Sequence, residues 1–374
     1  MSNRPVANLP DDLVRFLIGY CPTKPWSLAL VNKHYNHYVT PILYEDVDIY
    51  TLRGTRGLSS TMKTGRPHLR NYLKALTVST LLDPSADHEA LNRHLRDLLL
   101  LTPNLSKLSV LLPAAVTRYL IEEPRYPFSL RYLCMTADSS EKFLGFLRSQ
   151  NQIESICLWK ESRASIAPSQ HQSAVFLSQP DLLPHLQSIE STGFWIQSLV
   201  PSRPVSRVGC DRSDCIERLS ELRIINCALS QSSASLTYLS IGLLTHVQIW
   251  HMEILELLSD IQFCCKSLSE LSLRFSIDYV RRMRREVSWI LEPRYTPSDA
   301  FLLVRERLAM FSSLKKFGLD PPYNWGREIS SDVLNSFPEF SGIGLWKESC
   351  NTLEEVRLFG TAPLRSRCNA SSRV

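Results

Sequence analysis

The side chains that could do chemistry are scattered rather than grouped. His34 and His37 stand three residues apart, a spacing that puts two imidazoles on one helix face and could hold a metal ion. No cysteine, aspartate or glutamate beside them completes a ligand set. The ten cysteines include no CxxC pair; Cys264 and Cys265 are adjacent, and four residues separate Cys210 from Cys215. The run Arg281, Arg282, Met283, Arg284, Arg285 is the densest positive charge. It reads as a nuclear-import patch or acidic-partner site, or as the solvated face of a helix backed by Val280, Val287 and Ile290. There is no G-x-S-x-G elbow, Walker loop, H-E-x-x-H or G-x-G-x-x-G. The sequence therefore gives no reason to expect a catalytic residue, a cofactor or a metal.

Composition narrows the classes further. The chain has 374 residues, 44% of them hydrophobic and 21% charged, as in ordinary globular proteins, and it is long enough for more than one unit. A net charge of +5 is too small to argue for nucleic acid. No apolar stretch reaches the roughly 18 residues a membrane helix needs. The start lacks the apolar core of a secretory signal, so the expected compartment is cytoplasmic or nuclear, with free thiols.

Two kinds of element must position whatever the chain presents. Between Leu9 and Ile49, Leu13, Phe16, Leu17 and Tyr20 recur at helical spacing after Asp11 and Asp12. A second helix is predicted from Trp26 through Val31, Tyr35 and Tyr38, stopped by Pro41, and Val47 and Ile49 then alternate like a strand. Roughly 40 residues of short helix rarely fold alone, so an apolar face should be left for something else.

Beyond this segment the pattern L-x-x-L-x-L returns. It reads Leu73-Leu76-Val78, Leu105-Leu108-Val110, Leu130-Leu133-Met135, Ile153-Ile156-Leu158 and, more weakly, Leu186-Ile189. It continues as Leu219-Leu222-Ile224, Leu236-Leu239-Ile241, Leu268-Leu271-Leu273, Leu314-Phe317-Leu319 and Leu353-Val356-Leu358. The copy at Leu219 is the fullest, because Asn226 and Cys227 follow in the turn position. An L-x-L pair points both leucines inward from a strand, the earlier leucine closes the turn, and the return segment sets the next strand parallel beside it. Helical spacing predicts return helices over 90–101, 141–147 and 251–261. The expected fold class is α/β: a short helical N-terminal unit (5–50), an irregular leucine-rich-repeat solenoid (51–362) with parallel strands on the concave face, and a polar tail (363–374).

Together the two regions resemble a known family. Leu9-Pro10-Asp11-Asp12-Leu13, then Leu28-Ala29-Leu30-Val31-Asn32-Lys33, then Pro41-Ile42-Leu43-Tyr44 are similar to an F-box, with Asp12 for the common Glu, Asn32 for Cys and Tyr35 where Trp is frequent. With the repeats, the chain resembles the F-box/leucine-rich-repeat proteins numerous in fungi. The resemblance implies a non-catalytic substrate receptor of an SCF-type (Skp–cullin–F-box) ubiquitin ligase. Its F-box would dock on the Skp-family adaptor, and through it on cullin and RING subunits, while the repeats bind a protein substrate. It implies adaptor contacts at Leu9, Pro10, Leu13, Leu17, Leu30, Val31 and Tyr35. The alternative is a repeat scaffold that binds partners without degrading them.

The repeat register also places an outward column of Thr77, Ser109, Cys134, Cys157, Glu190, Arg223, Ser240, Ser272, Gly318 and Arg357, most of them small. Aromatic and arginine residues flank it, and these are common interface anchors. A substrate site is expected near Tyr132, Trp159 and Tyr238. The phrase Leu-Trp-Lys-Glu-Ser, at Leu158 and again at Leu345, suggests either a duplicated repeat or coincidence.

Overall fold

The computed structural model describes residues 10, 13, 16, 27, 29–31, 33–79, 88–122, 125–136, 140–159, 179, 181–210, 219–243, 250–275, 297–320, 342–358 and 363–365. The chain divides into two units, Met1–Ile153 and Glu154–Val374.

The first unit opens with α1 (Lys33–Leu43) and β1 (Asp46–Ile49). Next come α2 (Leu52–Ser60), a π-helical turn (Thr61–Gly65) and a 3-10 turn (Pro67–Asn71). Three strand–helix pairs follow: β2 (Ala75–Ser79) and α3 (His88–Leu100), β3 (Lys107–Leu111) and α4 (Ala114–Ile121), β4 (Tyr132–Thr136) and α5 (Glu141–Ser149). The strands pair parallel in chain order, with Asp48, Thr77, Ser109 and Cys134 side by side. Thr51 and Ser140 cap α2 and α5 by accepting the N–H of Gly54 and Phe143. Pro41 does not end α1. The helix runs on to Leu43, and only the hydrogen bond that the missing proline N–H would make is lost.

The second unit repeats the design. Its elements are β5 (Ser155–Trp159), β6 (Ser188–Ser191), α6 (Gly193–Leu199), β7 (Arg207–Cys210), α7 (Leu219–Ser230), β8 (Tyr238–Leu243) and α8 (Trp250–Cys264). Then come β9 (Glu270–Phe275), α9 (Pro297–Leu308), β10 (Lys316–Asp320), α10 (Gly344–Ser349), β11 (Glu355–Leu358) and β12 (Leu364–Arg365). Strands β5 to β11 are parallel in chain order, and β12 closes antiparallel on β11. Each unit is thus solenoid-like α/β.

The repeat pattern explains why. The leading apolar residue is buried in the nine copies that form strands: Leu73, Leu105, Leu130 and Ile153 in the first unit, Leu186, Leu236, Leu268, Leu314 and Leu353 in the second. Just beyond it, one carbonyl per repeat receives two N–H groups from the next. Lys74 O accepts from Ser106 and Lys107 at 2.8 and 3.0 Å, and Thr237 O accepts from Ser269 and Glu270 at 2.9 and 3.0 Å. These bonds lock neighbouring turns in register while the paired inward residues, such as Leu239 and Ile241, pack beneath.

One expectation fails here. The copy at Leu219 is not a strand but the start of α7, so Arg223 leaves the outward column. The strand comes earlier, as Val205-Val208-Cys210, and sets Gly209 between Glu190 and Ser240. Leu219-Leu222-Ile224 fits the strand consensus, yet Ile225, Ala228 and Leu229 continue at helical spacing and are buried. Gly209 is tightly placed as well, since a Cβ there would lie 3.3 Å from the Glu190 Cγ.

A buried cation secures the approach to β7. Arg203, 1% exposed, donates from Nε to Leu182 O (2.5 Å), from Nη1 to Pro201 O (3.1 Å) and Ser198 O (3.4 Å), and from Nη2 to Gln179 O (2.9 Å). Burial pulls its pKa down to about 10, which leaves it protonated at neutral pH. The guanidinium fork thereby holds two turns of the second unit to one point, with carbonyl dipoles in place of a counter-ion.

Candidate protein-binding surfaces

The N-terminal segment presents apolar side chains to solvent. Leu13 is 49% exposed, Phe16 58%, Leu30 78% and Val31 53%. Pro10 is exposed too. Ser27 and Ala29 are helical, but Leu30 and Val31 sit in the turn before α1, short of the unbroken helix the periodicity suggests. Leu9 and Leu17 lie outside the described residues. Tyr35 stands apart from its proposed partners in adaptor contact: it is buried with Val39, and Ala29, Tyr38 and Leu43 pack around the pair. Its ring holds α1 in place rather than offering surface. Phe16, which carried no role in the sequence reading, belongs with the exposed set; its helical spacing from Leu13 was the available signal.

His34 and His37 pack against tyrosine rings. His34 meets the rings of Tyr35 and Tyr38 edge-on, and His37 meets Tyr38 at 5.3 Å. Among the described residues no group of three or more histidine, cysteine, aspartate or glutamate side chains could hold a metal ion.

The strand face turned away from the helices is built in three rows. In the central row Ser109 and Cys134 of the first unit and Cys157, Gly209, Ser240 and Gly318 of the second are small and covered, whereas Asp48 and Arg357 are exposed and Thr77, Glu190 and Ser272 half-buried. Ser240 is fully covered, with the Arg274 guanidinium donating to its Oγ from Nε and Nη2 at 2.8 and 2.6 Å. The small, covered positions offer little contact, and the larger side chains of this face stand in the flanking rows or at Asp48, Glu190 and Arg357.

Tyr132 and Tyr238, one in each unit, hold the equivalent position of their own strands, two residues before the central one, and both are half-buried. Each is approached by a cation from the preceding strand. Lys107 Nζ lies 5.7 Å from the Tyr132 ring centre, and the Arg207 guanidinium lies 4.2 Å over Tyr238. The latter is a close cation–π stack. Beyond Tyr238 the row runs Glu270, Lys316, Glu355 and Arg365, and Glu355 is clasped by Arg365 (2.9 Å) and Arg357 (3.2 Å). Trp159 is half-buried in the opposite flanking row, three strands away from Tyr238. At ordinary strand spacing and rise that separates them by about 20 Å. The structure does not gather them into one pocket. Arg207 was missed because its strand was.

Arg281 to Arg285 lie outside the described residues. The repeated pentapeptide has two fates: Leu158 and Trp159 end β5, whereas Leu345 to Ser349 lie in α10, with Trp346 fully buried. The likeness is coincidental. No helix among the described residues is long and apolar enough to cross a membrane.

No protein-family model matches the sequence, and no curated protein is similar enough to count as a match. Among solved structures, a crystal structure of a Bacteroides fragilis protein aligns at 10% identity and a TM-score of 0.27, over 84% of this chain and 64% of that one. The chain thus spans less than two thirds of that protein's resolved length, and the likeness carries no functional argument.

Proposed function

We propose that this chain is a substrate-recognition subunit of an SCF-type ubiquitin ligase, with the N-terminal segment docking on a Skp-family adaptor and the repeat strands holding a protein client. The observation that supports the reading is the exposure of Leu13, Phe16, Leu30 and Val31 in a segment whose sequence is similar to an F-box. Four large apolar side chains left in water by one short segment call for a partner. On this reading the chain carries no catalytic residue: cullin and RING subunits bring the transfer machinery, and the repeats raise the client's effective concentration beside it. The test is affinity purification of the tagged full-length chain from its source cells. Adaptor, cullin and RING subunits should co-purify, and a bound client should carry ubiquitin and accumulate when the chain is deleted. Adaptor without cullin, and clients of unchanged abundance, would instead support a non-degradative scaffold.

A further inference from the structure

We infer that the cleft between α1 and the turns following α2 is a docking site for an acidic segment of a protein partner. The cleft encloses about 480 Å3 and is lined on one side by Asn36, Thr40 and Tyr44 and on the other by Ser60, Thr64 and Arg66. All of these belong to the first unit, and none is a carboxylate.

Charge is the first reason. From Tyr50 to Leu82 the sequence has six Lys and Arg residues and no Asp or Glu. Lys63 and Lys74 are neutralised by Asp97 and Glu45, at 2.5 and 2.9 Å. Arg53, Arg56 and Arg66 are exposed, and no carboxylate among the described residues pairs with them. Arg53 and Arg56 precede Ser60 by seven and four residues, which sets them on the stripe of α2 that leads into the cleft. On the facing wall, Lys33 stands one turn before Asn36 and is exposed.

The hydroxyls supply the second reason and select the occupant. Thr40 donates to Asn36, whose main-chain O and side-chain Oδ1 both lie at 2.7 Å, and Thr64 donates to Ser60 O at 2.9 Å. With their hydrogens engaged within the fold, both oxygens keep lone pairs that accept N–H groups. A peptide brings N–H donors in its main chain and carboxylates in its side chains, matching both features. A phosphodiester backbone or a lipid headgroup layer of phosphatidylserine meets the arginines but offers no such row of amides. The site does not depend on adaptor docking: it uses Arg56 and Arg66, whereas the docking surface uses Leu13, Leu30 and Val31.

The experiment is fluorescence anisotropy of a labelled hexaglutamate peptide titrated with the full-length chain at low salt. Arg56→Ala with Arg66→Ala should weaken binding about fivefold to tenfold, as expected for two exposed charges. Thr40→Val with Thr64→Val should weaken it about twofold without changing charge. Arg357→Ala with Arg365→Ala, in the second unit, should leave it unchanged, and circular dichroism checks that every variant is folded. No binding, equal binding by the Arg56/Arg66 variant, or equal loss in the Arg357/Arg365 variant would overturn the assignment. So would tighter binding of oligothymidylate or phosphatidylserine vesicles that the Arg56/Arg66 change abolishes.

Discussion

The N-terminal segment and the repeats use the same apolar residue types and meet opposite fates. In the repeats the residue that opens each strand is buried, from Leu73 at 0% exposure to Leu353 at 0%. In the N-terminal segment Leu13, Leu30 and Val31 are half to three-quarters exposed, and among the described residues Tyr35 and Val39 form a small core. The difference lies in what each element can reach. A strand in a solenoid finds its partner one repeat away along the same chain, so burial is completed internally. Short helices of a 40-residue segment have too few neighbours to cover them, and their apolar surface stays available to another molecule.

The sharpest way to break that contrast is a pair of truncations followed by urea denaturation. Leu271→Ala in β9 should cost about 2–5 kcal/mol, because it opens a cavity among packed strands. Leu30→Ala should fall within about 0.5 kcal/mol, as for an exposed position. A large loss at Leu30 would mean that the segment's apolar face is structural after all.

Arg203→Met tests whether the second unit also needs its polar fastening. Removing the guanidinium leaves the carbonyls of Gln179, Leu182, Ser198 and Pro201 without that donor, at a cost of about 2–4 kcal/mol. Limited proteolysis should then cut first near 179–182. A variant as stable as the parent would show those carbonyls to be hydrated already.

How much of this was legible in the sequence follows from the same physics. Nine of the ten proposed strand positions were readable, because leucine at fixed spacing reports a strand whose inward face is fully buried. The tenth misled for a definable reason. Leu219-Leu222-Ile224 satisfies the strand consensus and the helical period at once, while the real strand, Val205-Val208-Cys210, carries valine, glycine and cysteine where leucine was sought. The surface was harder to read. Tyr132, Trp159 and Tyr238 do face outward, but whether they meet depends on how many strands separate them, and one misplaced strand hid Arg207. Tyr35 shows the converse limit, since periodicity gives the face of a helix but not which neighbours cover it.

The smallest expected effect sharpens the comparison between the two cation–tyrosine pairs. A double-mutant cycle on Arg207 and Tyr238, stacked at 4.2 Å, should give a coupling of about 0.5–1 kcal/mol. Lys107 and Tyr132, at 5.7 Å, should give less. Equal couplings would show that the closer stacking adds nothing.

We propose that the N-terminal apolar surface binds a Skp-family adaptor. This is tested most directly by calorimetric titration of the purified adaptor into the full-length chain and into a Leu13→Ala, Leu30→Ala, Val31→Ala variant of matched stability. Binding by the parent chain is expected, with a loss of at least about tenfold in the variant, in line with truncating interface anchors worth more than about 1 kcal/mol each. A folded parent chain that does not bind, or a variant that binds equally well, would contradict it.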